Sequence, residues 1–175
     1  MINGKSPVTN CVNNGDISVL NTGAPKDKKC IIGGITGKFD YEGSITGCVN
    51  NGDILNKHTG VWAIGGIVGN TNAREVDIKP NIATCANYGD ISVMNTTSTS
   101  SPMGVGGIAG RLHGAKLSEC TNEGSISSVC NVLTGIGGIA GIHALEYESI
   151  IDKCVNGAKE KTDKGLLTFN PSEGT

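Results

Sequence analysis

Two short motifs recur along this chain and constrain its fold more than any other feature. The first is Cys48-Val49-Asn50-Asn51-Gly52-Asp53-Ile54; related copies begin at Cys11, Cys85 and Cys120, and a worn one, Cys154-Val155-Asn156-Gly157, closes the series. The second is Gly65-Gly66-Ile67-Val68-Gly69, with copies at Gly33, Gly106 and Gly137. An aliphatic residue precedes each glycine pair (Ile32, Ile64, Val105, Ile136), and another stands three before each cysteine (Val8, Ile45, Ile82, Leu117, Ile151). The cysteines recur every 34 to 37 residues. A fixed period in this range marks a repeat architecture, in which each unit buries its apolar face only against its neighbours. The spacing is elastic at two points of the repeat only: between Asp-Ile and Gly-Gly-Ile, as at the Ser/Thr-rich Asn95 to Met103, and between Gly-Gly-Ile and the next cysteine, as at Asn70 to Asn81. Insertions confined to fixed points of a repeat behave as loops on a constant frame.

Within each repeat the pattern favours strand over helix. Ile17 and Val19 alternate with Asp16 and Ser18, and Ile91 and Val93 with Asp90 and Ser92, a period of two. The nearest helical candidates, Leu112 to Cys120 and Gly141 to Lys153, are weak, and 27 glycines in 175 residues would break helices almost everywhere. The expected fold is all-β: a parallel β-solenoid of four to five coils over residues 1–157, about three short strands per coil, with 158–175 as a tail or cap. One strand ends near the cysteine, one carries Asp-Ile and one carries Gly-Gly-Ile. Asn13-Asn14-Gly15 and its copies make the corner between the first two, because Asn and Gly tolerate positive φ.

Coils stacked at roughly 4.8 Å turn sequence columns into spatial columns. Ile17, Ile54, Ile91 and Ile126 then form one aliphatic ladder, and Ile35, Ile67, Ile108 and Ile139 another, each buried Ile contributing about 1.5–3 kcal/mol. Asn13, Asn50, Asn87, Asn122 and Asn156 are expected to link their amides at the corner. Cys11, Cys48, Cys85, Cys120 and Cys154 share a register and are expected inside as free, buried thiols, since parallel Cβ vectors make bridging awkward. Cys30 and Cys130 stand outside that register and are not expected to meet. The paired glycines let the opposite wall approach closely.

The chemistry-bearing residues are sparse. His58, His113 and His143 are the only histidines, with no repeated acidic partner, and no Cys-x-x-Cys spacing suggests a metal centre. Asp16, Asp53 and Asp90 form a charge column that faces solvent, caps corner N–H groups or shares a cation such as calcium; Ser125 in the fourth copy weighs against the last option. Gly-Gly-Ile-x-Gly lacks the Lys-Ser/Thr ending of a phosphate loop. A net charge of −2 offers no basic surface for nucleic acid. Aromatics at 3% offer few platforms for sugars. No apolar run approaches the ~20 residues needed to span a membrane, and the start lacks the apolar core of a signal peptide. A cytosolic chain or a piece of a longer solenoid is expected, the latter favoured.

The repeated Gly34-Ile35-Thr36-Gly37, Gly66-Ile67-Val68-Gly69, Gly107-Ile108-Ala109-Gly110 and Gly138-Ile139-Ala140-Gly141 resemble the GLUG motif, with isoleucine in place of leucine. The resemblance covers about residues 8 to 157 and is strengthened by the Cys-x-Asn-x-Gly-x-Ile half. Such repeats occur in large bacterial surface proteins, including adhesin-like proteins and non-catalytic parts of immunoglobulin A peptidases, whose His-Glu-x-x-His zinc motif is absent here. The resemblance implies a secreted or surface-attached, non-enzymatic repeat region without cofactor, acting as an adhesin-like stalk or presentation domain on an unknown protein or glycan ligand. The alternatives are end-to-end self-association through open strand edges and, third, a polysaccharide-processing β-helix enzyme.

Overall fold

The computed structural model describes residues 2–3, 5, 7–20, 30–40, 42–57, 61–73, 79–94, 103–130, 134–143, 147–157 and 167–171. Every regular element among them is a short strand, the two weak helical candidates included. The strands assemble into five sheets, four of them five strands deep and one four deep. Each strand pairs in parallel with its copy one repeat away, which makes the chain a β-solenoid.

One coil suffices to describe the wall. Ser44–Thr46 belongs to the pre-cysteine sheet, Val49–Asn50 to the asparagine sheet, Ile54–Asn56 to the Asp-Ile sheet, Val61–Gly65 to the Gly-Gly sheet and Val68–Asn72 to the Ile-x-Gly sheet. The three extended stretches expected per coil are therefore present, but two of them are broken. Gly47-Cys48 divides the first, and Gly66-Ile67 divides the third, so a coil carries five short strands. At both breaks the chain turns while its amides still bond to the neighbouring coil, as in Gly47 N to Ala83 O at 3.1 Å and Ile67 N to Ile108 O at 3.0 Å. The ladder of hydrogen bonds thus survives the corner even where strand geometry does not.

The break before the cysteine has a conformational cause that the sequence conceals. Asn10, Gly47, Thr84, Glu119 and Lys153 occupy one column and all take positive φ, between 51° and 64°. Gly and Asn accept that conformation readily, whereas a β-branched residue with positive φ is an outlier costing roughly 1–3 kcal/mol. Thr84 is exposed, and its neighbour in the column is a glycine. Thr84→Gly is therefore expected to stabilise the protein by about 1 kcal/mol, seen as a rise in thermal midpoint; an unchanged or lower midpoint would show that the left-handed corner carries no strain.

The interior divides into two apolar clusters. One contains Ile45, Ile82 and Leu117 with Cys48, Cys85 and Cys120, packed against Ile67, Ile108, Phe39 and Leu112. The other contains Ile54, Ile91 and Ile126 packed against Ile32, Ile64 and Val105. Between Ile64 and Ile67 on one wall stands Gly66, and between Cys85 and Ile91 on the other stands Asn87. A Cβ on Gly66 would lie 2.3 Å from the Asn87 side chain and 2.2 Å from Gly107 O. Gly107 meets Asn122 in the same way, at 2.2 Å. The second glycine of each pair is thus the waist where the two walls touch, and a hydrogen in place of a methyl is what lets the asparagine amide fit.

The expected tail also takes part. Residues 167–171 form the fifth strand of the Asp-Ile sheet, with Leu167 paired to Ile126. The Cys154 copy lacks an Asp-Ile, and the chain supplies that strand from further along.

Candidate functional site

The asparagine column is a continuous chain of side-chain hydrogen bonds. Asn13 Nδ2 donates to Asn50 Oδ1 at 2.7 Å, Asn50 to Asn87 at 2.7 Å, Asn87 to Asn122 at 2.8 Å and Asn122 to Asn156 at 2.8 Å. The second Nδ2 hydrogen closes each turn on the carbonyl two residues ahead, for instance Asn87 Nδ2 to Gly89 O at 2.9 Å. Asn50, Asn87 and Asn122 are fully buried, so these bonds stabilise groups that would otherwise be stranded away from water.

The isoleucine columns stack as backbone partners. Ile17, Ile54, Ile91 and Ile126 pair in order. Ile35, Ile67, Ile108 and Ile139 are linked N–H to C=O at 3.0–3.1 Å.

The cysteine column is equally regular, and its thiols are free. Cys48, Cys85 and Cys120 are buried, Cys154 is partly so, and Cys11 is exposed. Each buried thiol donates within its own turn and to the preceding coil, as in Cys85 Sγ to Ala83 O at 3.2 Å and to Ile45 O at 3.6 Å. Burial pushes the Cys48 thiol up, whereas the bond from Cys120 holds Cys85 down. Cys120 is drawn down by its bond with Cys154, but its bond with Cys85 and its burial outweigh that, and it is pushed up to about 11. Cys30 opens the strand Cys30–Gly33 and packs beside the second apolar cluster, and Cys130 ends Ile126–Cys130 in a different sheet.

On the outer face, the aspartate column caps amides. Asp53 N donates to Asp16 Oδ1 at 2.9 Å, Asp90 N to Asp53 Oδ1 at 2.8 Å and Ser125 N to Asp90 Oδ1 at 2.8 Å. Ser125 has no carboxylate to pass on, but its amide still receives one, which explains why the fourth copy tolerates the change. These aspartates line an open groove with Ser18, Ser92 and Leu55. Among the described residues, no three His, Cys, Asp or Glu side chains converge to hold a metal ion.

The histidines divide. His58 lies outside the described residues. His113 follows the strand Ala109–Leu112; its Nδ1 is 2.8 Å from Asn72 Oδ1, and its ring centre is 4.9 Å from that of Tyr147. His143 Nε2 lies 3.3 Å from Tyr147 O and receives the Ser149 amide at 3.2 Å. Tyr147 therefore brings the two together, and both are tied into local chain structure. The single tryptophan is also engaged: the Arg111 guanidinium stacks over the Trp62 ring at 4.3 Å.

Two groups escape a reading of the sequence. Asn70 to Asn72, placed there in a loop, are in strand, with Asn70 and Thr71 buried and Thr71 Oγ1 accepting the His113 amide at 3.0 Å. Their polar side chains hid the strand. Asp40 is buried, with Oδ2 on Lys38 Nζ at 2.8 Å and Oδ1 unpartnered among the described residues. Nothing in the repeat signals it, because Phe39-Asp40 occurs in one copy only.

The family model described as the GLUG motif matches residues 101–127. That stretch, 27 of the 175 residues, carries a GLUG motif. The matched unit holds Gly106-Gly107-Ile108-Ala109-Gly110 together with Cys120, Asn122 and Ile126, and so covers both halves of the repeat. Neither a curated protein nor a solved structure matches the chain. No helix among the described residues is long and apolar enough to cross a membrane.

The repeated second glycine and the isoleucine of this motif face inward, as Gly66 and Ile67 do. The second glycine admits the asparagine ladder, and the isoleucine after it fills the cysteine-side cluster. The motif is a specification for stacking, and its residues leave the outer surface and the junctions free to differ.

Proposed function

We propose that this GLUG solenoid is a non-enzymatic surface module, an adhesin-like stalk or presentation domain whose contacts with a protein or glycan ligand are made by its variable junctions. One observation carries the reading. Two residues always separate the pre-cysteine strand from the asparagine strand (Thr46 to Val49, Ala83 to Ala86, Ser118 to Thr121), and the break at the glycine pair is equally constant. Two junctions vary instead. The first runs from the Asp-Ile strand to the Gly-Gly strand: Val19 to Cys30, Asn56 to Val61, Met94 to Met103. The second runs from the Ile-x-Gly strand to the pre-cysteine strand: Asp40 to Ser44, Asn72 to Asn81, Leu112 to Lys116. A frame that holds its register while two seams vary in length and composition suits display more than chemistry. The occurrence of GLUG repeats in extracellular bacterial proteins supports a secreted or surface location.

The test replaces segments 74–78 and 95–102, which lie outside the described residues, together by Gly-Ser linkers of equal length. Parent and variant are then applied to a glycan array and a panel of extracellular-matrix proteins. The expected result is binding by the parent and its loss in the variant, with the thermal midpoint shifted by only a few degrees. Binding unchanged by the replacement, or no binding by the parent, would refute the assignment.

Self-association is the second reading, favoured by apolar residues exposed on the outermost coils, Val12 at 56%, Ile151 at 51% and Val155 at 48%. Light scattering that grows with concentration would support it, and a constant monomer mass would remove it.

A further inference from the structure

We infer that the cysteine column is a binding site for soft monovalent metal ions, copper(I) or silver(I), held two-coordinate between thiolates of successive coils. The column runs Cys11, Cys48, Cys85, Cys120, Cys154, with neighbouring backbone strands in register on both sides of it. A zinc–thiolate bond is ~2.3 Å, and two soft-metal–thiolate bonds of about that length laid end to end span about 4.6 Å, close to the ~4.8 Å between stacked strands. A disulfide needs its sulfurs at about 2.05 Å and would have to draw two coils together, which the flanking hydrogen bonds resist. The repeat thus stacks one thiol per coil at the backbone spacing that a linear sulfur–metal–sulfur bridge spans.

Coordination number decides which metal fits. No three ligands converge on a point among the described residues. Zinc, which closes tetrahedral sites, is not served, whereas soft thiolates in pairs select monovalent copper or silver. The walls of the column are apolar, formed by Ile45, Ile82, Leu117, Ile67 and Ile108. Charge is nevertheless contained. Each thiol gives its proton to solvent on uptake, and a run of bridging thiolates always outnumbers its monovalent ions by one. A filled column carries one net negative charge however long it is. The ends are the entry points, since Cys11 is exposed and Cys154 only partly buried.

The experiment uses the reduced chain carrying Cys30→Ser and Cys130→Ser, so that only the column remains. Copper(I), supplied as its acetonitrile complex without oxygen, is titrated into the folded protein and, separately, added during refolding. Uptake is read by thiolate-to-metal absorption and native mass spectrometry, with circular dichroism as the check on fold. The expected uptake is about one ion per neighbouring thiol pair, about four per chain, with the β spectrum retained. Adding Cys85→Ala should cut uptake to about two, because it isolates a pair on each side, and Cys154→Ala should cut it to about three. Zinc(II) should not compete. The inference is overturned by no uptake under either protocol, by the same stoichiometry in the Cys85→Ala variant, by equal uptake of zinc, or by uptake that abolishes the β spectrum.

Discussion

Gly66→Val will destabilise the protein by about 4 kcal/mol or more, enough to unfold much of it at ambient temperature. A methyl at this position would stand 2.2 Å from Gly107 O and 2.3 Å from the Asn87 amide, and neither can yield easily. The carbonyl is backbone, fixed by the next coil. The amide is held by three partners: it donates to Gly89 O and Asn122 Oδ1 and accepts from Asn50. The added bulk thus combines overpacking with the loss of buried hydrogen bonds. Gly107→Val meets the same obstacle at Gly138 O and Asn122 and should behave alike. A matching change in the Ser98 to Ser101 segment, which lies outside the described residues, should shift stability by less than about 0.5 kcal/mol. Equilibrium urea unfolding of the variants checks the contrast, and a cost for Gly66→Val comparable to that of the segment variant would contradict the waist.

Asn87→Leu should cost about 3–5 kcal/mol despite nearly preserving volume. It leaves the Asn50 donor, the Asn122 acceptor and the Gly89 carbonyl without their partner in a site closed to water. Each stranded group costs roughly 1–3 kcal/mol. Asn87→Asp should be similarly damaging, because a carboxylate cannot donate onward to Asn122. The control is Asn51→Ala on the outer surface, which removes the single 2.8 Å bond to Asn14 where water replaces it, and should cost under about 1 kcal/mol. Thermal midpoints of the three variants measure the order. If Asn51→Ala proved as costly as Asn87→Leu, the buried ladder would not be what holds the corner.

These predictions also show which parts of the molecule the residues announce. Residues whose role is to repeat, such as Ile54 or Asn87, are legible because stacking demands the same shape at the same place in every coil. The residue before each cysteine is not, since the left-handed conformation there is imposed by the wall on Asn10, Thr84, Glu119 and Lys153 alike, and no residue type marks it. The strand nature of Asn70 to Asn72 was hidden for a related reason: its polar groups are satisfied by the neighbouring coil, as Thr71 is by His113 and Asn72 by the His113 ring. The pairing of Leu167 with Ile126 lies beyond any period, because the last coil takes its Asp-Ile strand from outside the repeat. The aspartate column could be placed but not assigned from sequence, since only coordinates distinguish capping the next coil's amide from facing water or a cation.

The candidate display surface is legible to a different degree. Variable length between constant strands can be read from spacing alone, and the strands that flank those junctions stack in register. What the junctions touch depends on their own side chains, which follow no repeat and so carry no pattern.

Everything rests on residues one repeat apart being neighbours in adjacent coils. Methyl nuclear Overhauser spectroscopy on isoleucine-labelled protein measures this directly. The account predicts contacts from the Ile54 methyls to those of both Ile17 and Ile91, its partners on either side. Ile54 methyls that show contacts to neither would contradict the stacked solenoid and the reading of the GLUG repeat built on it.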